Sequence, residues 1–309
     1  MKNVKDRSGQ APSNSLAARK RVLKLGRLTL PYIMVMPAMI ILAVFTFYPA
    51  FYMIYTSFFR VDFFRGNEFV GFQNYYELFF VELEFWEALR NTLIYMVAAT
   101  VSVIVLALIF AVWLQKSSFI NGIAQRMMFL PYLCSGVTIA MIWSWLMDTE
   151  GLLNVVLEFF NLPALGWINK PDTALFSVII VSVWKSIGYY ALIMLSSVKS
   201  IPTEVLEAAE LDDSGKLRTF FKIQLPLLSP QIFFLFITIT MNSFKVFDIV
   251  RLLTAGQNDT MVLVYYIYTQ AFNYNNYGMA CAASVFLMII MALFSIVYFK
   301  AMSKRVHYQ

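Results

Sequence analysis

Histidine is almost missing from this chain. Its 309 residues include one, His307, and two cysteines, Cys134 and Cys281. A zinc site takes three or four His, Cys or carboxylate ligands, and a Ser–His or Cys–His pair needs an imidazole beside its nucleophile. One histidine in the last residues supplies neither, so no catalytic or metal site is expected and no cofactor. Both cysteines fall inside apolar stretches and read as small core residues, not as a disulfide or a metal pair. Charge is scarce as well: 14% of residues are charged and 60% hydrophobic, with a mean hydropathy of +0.67. That balance excludes an ordinary soluble domain. No GxxxxGK[ST] run occurs, so the chain has no loop of its own to cradle nucleotide phosphates. The net charge of +6 comes from scattered cations with no basic folded face and stacking aromatics, which excludes nucleic acid as a partner.

What the chain has is apolar length. Six windows, near 33–57, 91–114, 126–147, 174–198, 228–250 and 279–300, reach the roughly 20 helical residues that cross a hydrocarbon core of about 30 Å. The runs are continuous, not alternating, so they predict helices and not a barrel: an all-α, polytopic membrane protein with six transmembrane helices. Lys and Arg crowd 1–30, 115–126, 199–226 and 300–309, while the outer segments hold only Arg60, Arg65, Arg90, Lys170 and Arg251, and Lys185 and Lys245 lie within spans. By the positive-inside rule both termini are cytoplasmic. Residues 1–30 form a basic N-terminal tail, and 31–309 the membrane domain. Leu16 to Leu30 is either an interfacial amphipathic helix held by anionic membrane lipids or a basic topogenic tail. The first apolar run exceeds the 7–15 residues of a signal-peptide core and reads as an uncleaved anchor.

Several spans carry marked residues. Ala98, Ala99, Ser102 and Ala107 in the second allow close helix approach. Trp143 and Trp145 close the third as an interfacial belt, with sugar stacking as the alternative. The fourth holds Lys185 near mid-depth, where an unpaired lysine costs roughly 2.5–3.5 kcal/mol. Ser182, Lys185, Ser186 and Tyr189 share one helical face. The fifth has a similar stripe in Asn242, Ser243, Lys245 and Asp248, with Lys245 and Asp248 spaced to pair locally. Structural neutralisation of these charges is one reading; a polar path for a polyhydroxylated solute is the other. The outer segment 59–90 carries six acids and reads as a solvated loop or as a docking surface.

The segment from Ile201 to Pro226 is polar and flanked by two apolar runs. Pro202 suits a helix's first turn, and Glu204, Glu207 and Glu210 follow near the favourable N-terminal end. Asp212 to Gly215 reads as a turn. Lys216 to Gln224 is amphipathic, and Pro226 is expected to end it, because the residue before a proline is pushed to an extended conformation. The prediction is a helix–turn–helix outside the bilayer, the alternative a plain solvated loop.

Within that segment Glu207-Ala208-Ala209, then Gly215, then Ile223-x-Leu225-Pro226 resembles the EAA loop of ABC-importer permeases. In that family Gly usually follows the Asp at 212; here Asp213 stands there and Gly215 two positions on. Gly71-Phe72-x-Asn74-Tyr75, Trp86-x-x-Leu89-x-Asn91-Thr92, Gly151-Leu152-Leu153-Asn154 with Trp167, Leu253-Thr254-x-Gly256 and Tyr277-Gly278-x-Ala280 are similar to the maltose-type, carbohydrate-uptake group. The likeness runs from about Pro37 to the C-terminus. It implies a type I ABC-importer permease fold in a bacterial inner membrane, with Glu204, Glu207, Ala208, Ala209, Asp212, Gly215, Ile223, Leu225 and Pro226 forming a cytoplasmic coupling helix that docks on an ATPase subunit. It implies a second permease, two ATPase copies, an extracytoplasmic solute-binding protein and a carbohydrate substrate. Family positions that contact sugar correspond to Lys185, Ser186, Tyr189, Asn242, Ser243 and Val246. The competing function is an ion-coupled secondary carrier using Lys185, Lys245 and Asp248; a membrane enzyme lacks the residues.

Overall fold

The computed structural model describes residues 30–61, 66–212 and 215–302. The basic tail therefore lies outside the described residues except for Leu30, as do Asp213 and Ser214 of the expected turn. The chain divides into two compact units, Met1–Tyr55 and Thr56–Gln309.

In the first unit the described residues form one helix, α1 (Leu30–Thr56), whose last residue opens the second unit. Its hydrogen-bond ladder widens into a π turn at Ala43–Phe47, where the Tyr48 N–H donates to the Ala43 carbonyl. Pro49 follows at once. A proline ring inside a helix collides with the carbonyl four residues back, and one wide turn carries that carbonyl aside without breaking the helix.

The second unit begins with a short antiparallel pair, β1 (Phe59–Arg60) and β2 (Glu68–Phe69), in the register Phe59↔Phe69 and Arg60↔Glu68. Two helices follow, α2 (Gln73–Phe80) and α3 (Leu83–Leu114). The described residues of the segment 59–90 are thus largely regular structure, where a solvated loop is one expectation. Helix α3 starts well before the apolar window at 91. Nothing in 83–90 breaks a helix, so its 32 residues, about 48 Å at 1.5 Å per residue, outrun the hydrocarbon core.

The third and fifth expected spans are each broken in two. Helices α4 (Phe119–Leu133) and α5 (Gly136–Leu146) meet at 101°. Pro131 removes a ladder donor, and three residues after it the chain turns extended at Cys134 (ψ 146°). Cys134 is exposed at this break and is no core residue. Helix α6 (Leu152–Phe159) leads to the unbroken α7 (Pro171–Lys199) and then to α8 (Thr203–Leu211). Pro202 caps α8 in an extended conformation (ψ 135°) just ahead of its first turn, not within it.

Helix α9 (Lys216–Leu227) joins α10 (Ser229–Phe244) with a bend of 67°. Helix α9 ends at Leu227, one residue past Pro226, but not because the proline drives the residue before it out of the helix. A second π turn, Phe220–Gln224, with the Leu225 N–H donating to the Phe220 carbonyl, accommodates its ring, and Leu225 stays helical (φ −61°, ψ −42°). Helix α10 stops at Phe244, and α11 (Asp248–Leu253) starts afresh after a non-helical Phe247 (φ −146°, ψ −60°). Lys245 and Asp248 therefore do not share a helical turn, and among the described residues no ion pair joins them. The chain closes with α12 (Leu263–Tyr268) and α13 (Tyr277–Met302). Among the described residues four helices are long and apolar enough to cross a membrane, or six when each bent pair counts as one span, which is the number expected from the sequence.

The main core sits where α3, α7 and α10 pack. Ala99, Val103, Ala107 and Ala111 run along one face of α3 at four-residue spacing and are buried, a small-residue ridge that brings backbones close. Ala98 only borders this core, and Ser102 faces an outer groove. Helix α7 also approaches α4 closely: the Met128 carbonyl oxygen stands where a Cβ on Gly188 would be. Trp143 packs edge-on against Trp184, centroids 5.3 Å apart, at the border of this core; only Trp145, 84% exposed, suits an interfacial belt. A second core joins α2, α3, α12 and α13 around Phe85, Phe244 and Tyr266. The aromatic run at 265–277 is thus partly interior, with Tyr265 and Tyr266 both buried.

Candidate functional site

Several of the sequence's marked polar residues hold loops together. Asn154, 1% exposed, donates from Nδ2 to the carbonyls of Asp148, Thr149 and Leu165, and its Oδ1 accepts from the Leu165 N–H and the Trp167 indole at 3.0 and 2.9 Å. Asn74 donates to the carbonyls of Ser57 and Phe59. Asn91 ties α3 to the backbone at Asp259 and Met261, beside an Arg90–Asp259 ion pair. Thr92 accepts the Leu263 N–H.

The charged residues of the apolar helices converge elsewhere. Both helix breaks, after Leu133 and after Phe244, face the middle of α7. A Cβ on Gly136, the first residue of α5, would lie 3.7 Å from Lys185 Nζ and 4.0 Å from Asp248 Oδ2. Around this point opens a cavity of about 440 Å³. Its wall takes Lys185, Ser186, Asn242, Ser243 and Val246, five of the six residues assigned to a substrate path. Ser182, Lys245 and Asp248 of the two sequence stripes also line it. Tyr189 does not. It stacks on Tyr132 at 4.4 Å and 7°, and Tyr132 forms the wall.

Sequence reasoning missed Tyr95, Tyr132 and Tyr190 in this wall. Tyr190 was within reach: Ser182, Ser186 and Tyr190 lie at four-residue steps, whereas the stripe was drawn through Tyr189 one position earlier. Tyr95 and Tyr132 come from other helices and leave no local pattern.

The donors and acceptors are partly committed. The Ser182 and Ser186 hydroxyls donate to carbonyls of their own helix, Val178 and Ser182 respectively, a habit of Ser in helices, so towards the cavity they accept. Asn242 Nδ2 donates to the Tyr190 hydroxyl oxygen at 3.1 Å, leaving the Tyr190 O–H able to donate. No carboxylate stands within 4.0 Å of either lysine among the described residues. The cavity thus offers ammonium and phenol donors, hydroxyl and amide acceptors, and aromatic faces. No group of three or more His, Cys, Asp or Glu residues among the described residues suits a metal ion.

The segment assigned to coupling is a second surface. Ile201, Ala209 and Leu228 are buried and fix it to the spans, with Leu206 packed on the main core. Glu204, Glu207 and Ala208 face out, and so do Leu211, Leu217 and Phe221, at 88, 75 and 60% exposure. The two alanines of Glu207-Ala208-Ala209 thus divide, one outward and one inward. Asp212 closes α8, its N–H donating to the Ala208 carbonyl. Gly215 precedes α9 with φ −58° and open space where a Cβ would be. Ile223 and Leu225 are half-buried, and Pro226 is exposed.

Residues 103–307 match the family model described as binding-protein-dependent transport system inner membrane component. Among known proteins, the chain is similar to the probable ABC transporter permease protein YesP of Bacillus subtilis (strain 168), 31% identical over 90% of this chain and 92% of that one. It is similar to the sn-glycerol-3-phosphate transport system permease protein UgpA of Escherichia coli (strain UTI89 / UPEC), 32% identical over 91% and 96%. It is also similar to the sulfoquinovosyl glycerol transport system permease protein SmoG of Agrobacterium fabrum (strain C58 / ATCC 33970), 29% identical over 91% and 92%. Among solved structures, a chain of a bacterial alginate ABC transporter, in complex with a periplasmic protein bound to an alginate pentasaccharide, superposes with a TM-score of 0.81 at 22% identity, over 93% of this chain and 98% of that one. That likeness fixes the fold.

Proposed function

Since the chain belongs to the family of binding-protein-dependent transport system inner membrane components, we propose that it forms half of the translocation pore of an ATP-driven importer for a sugar or oligosaccharide. A second permease chain supplies the other half. Two copies of a cytoplasmic ATPase drive it, and an extracytoplasmic solute-binding protein delivers the solute.

The observation that carries this reading is the outward face of α8 and α9. It presents Ala208, Leu211, Leu217 and Phe221 beside Glu204 and Glu207, on a segment held rigid by Ile201, Ala209 and Leu228. Large exposed apolar side chains on an anchored helix suit a protein partner. Energy has to enter from another chain, because this one has no phosphate-binding loop. The proposal sets the segment, with both termini, on the cytoplasmic side, following the distribution of Lys and Arg. The carbohydrate reading is supported by the solutes for which UgpA and SmoG are named, and by a cavity whose hydroxyl, amide and aromatic groups suit a polyhydroxylated molecule.

In this mechanism ATP-driven closure of the ATPase pair moves α8 as a lever, and the spans switch between inward- and outward-open states around the cavity. ATP shifts that equilibrium only if the closed ATPase pair binds one state better than the other. The broken pairs α4/α5 and α9/α10 are the elements able to transmit the movement, since each ends or bends beside the cavity or beside the coupling segment.

Ala208→Asp with Leu211→Asp tests it. Both positions are exposed, so the chain should fold, while ATPase co-purification and uptake should each fall at least tenfold. Uptake that survives loss of the ATPase and collapses with an ionophore would instead establish the ion-coupled carrier built on Lys185, Lys245 and Asp248.

A further inference from the structure

The charges in the cavity do not balance. Of its lining residues three ionise: Lys185, Lys245 and Asp248. One carboxylate faces two ammonium groups. A third cation stands behind the wall: the Arg251 guanidinium lies 5.6 Å from the centroid of Phe247, itself a lining residue, and 4.6 Å from that of Tyr268. None of the three cations has a carboxylate within 4.0 Å among the described residues.

Cations inside a membrane domain are costly and mark solute or ion paths. A neutral saccharide would be served by what the cavity already holds, namely tyrosine faces, serine and asparagine acceptors and the Tyr190 hydroxyl. It gives no reason for a second lysine. A carboxylate, phosphate or sulfonate does, because charge-assisted hydrogen bonds to an ammonium are about twice as strong as neutral ones. The placement agrees. Asp248 shares the neighbourhood of Gly136 with Lys185 and offsets that charge. Lys245, at the open end of α10 and exposed, is left to meet the solute.

We propose that this pore passes an anionic saccharide, one bearing a carboxylate, phosphate or sulfonate, and that Lys245, seconded by Lys185, is the specificity-determining side chain. The proposal rests on the pore reading above and deepens it. A positive cavity attracts anions into the path and disfavours cationic solutes, with field lines concentrated between low-dielectric walls.

The sign of the potential can be read without knowing the solute. In the assembled transporter, on a background of Cys134→Ser and Cys281→Ala, Ser186→Cys places a thiol in the cavity wall. Its labelling rates with an anionic sulfonatoethyl and a cationic trimethylammonium-ethyl methanethiosulfonate are compared, each normalised to a free thiol in solution. The expected anionic-to-cationic ratio is tenfold or more. It should fall towards one when Lys245→Gln and Lys185→Gln are added, and return with Lys245→Arg. A ratio of one or below in the parent overturns the proposal, since the second permease would then supply the missing acids. So does a neutral glycan recovered by mass spectrometry from the cognate solute-binding protein. Labelling by neither reagent in any nucleotide state means that the cavity never opens to water; the pore reading fails at that point, and this inference with it.

Discussion

At the scale of the residue, the polar side chains that the sequence marks out divide into two kinds. Asn74, Asn91, Thr92 and Asn154 are buried and each bonds to backbone outside its own helix, though Asn91 keeps its Oδ1 unpaired. Their place in recurring motifs is explained by the loops they hold and needs no solute. Asn154 is the fullest case. Asn154→Ala leaves the Trp167 indole and the Leu165 N–H without an acceptor, and each such buried group costs about 1–3 kcal/mol. The expected result is a clear fall in the melting temperature of the purified chain, with ATPase co-purification unchanged at temperatures below it. The second kind, Ser182, Ser186, Asn242 and the lysines, retains hydrogen-bonding capacity towards an open space.

At the scale of the element, prolines and glycines decide the shapes that hydropathy cannot see. Pro49 and Pro226 each follow a π turn, and the residue before each stays helical, although α9 ends one residue past Pro226. Pro131 follows none, and α4 ends two residues beyond it. Pro37 lies within α1 with no widened turn before it, so a π turn is one way of accommodating a proline ring and not a condition for the helix to continue. Gly188 governs a contact between two helices. The Met128 carbonyl occupies the place of its missing side chain, so Gly188→Ala has to push α4 away from α7. Overpacking of this kind costs about 1–3 kcal/mol, and here the obstacle is backbone, which has little room to yield. We expect Gly188→Ala to lower thermal stability in detergent by at least that much and to distort the cavity beside it. A variant as stable as the parent would show that the two helices are less tightly apposed.

At the scale of the whole molecule, the second unit is a bundle whose two interrupted pairs and one unbroken helix, α7, meet around a charged cavity. Polar and irregular backbone inside a membrane is tolerated where it lines such a space. The orientation of the bundle has a direct test. Gly215 has an ordinary φ and nothing within 4 Å of a Cβ position, so Gly215→Cys fits without strain. In a background lacking Cys134 and Cys281 it should be labelled by a membrane-impermeant maleimide only in inside-out vesicles. Labelling in intact cells would invert the topology and remove the coupling segment from any cytoplasmic ATPase.

Much of this was legible in the residues themselves. Six apolar windows, the asymmetry of Lys and Arg, and the absence of histidine chemistry follow from composition and order, because crossing a bilayer is a requirement on length and polarity that each segment meets by itself. The polar positions in the fourth and fifth windows were visible for the same reason: a lysine among apolar neighbours is conspicuous wherever it points. What the sequence left open was everything that depends on a second element. Whether Pro226 forces Leu225 out of the helix depends on the turn before it. Whether Lys245 pairs with Asp248 depends on where α10 ends. Tyr95 and Tyr132 join the cavity only because α3 and α4 are packed against α7. Local composition determined that this chain crosses a membrane many times and carries charge within it; the packing of broken helices against α7 decided that those charges share one cavity, with one more cation than acid can match.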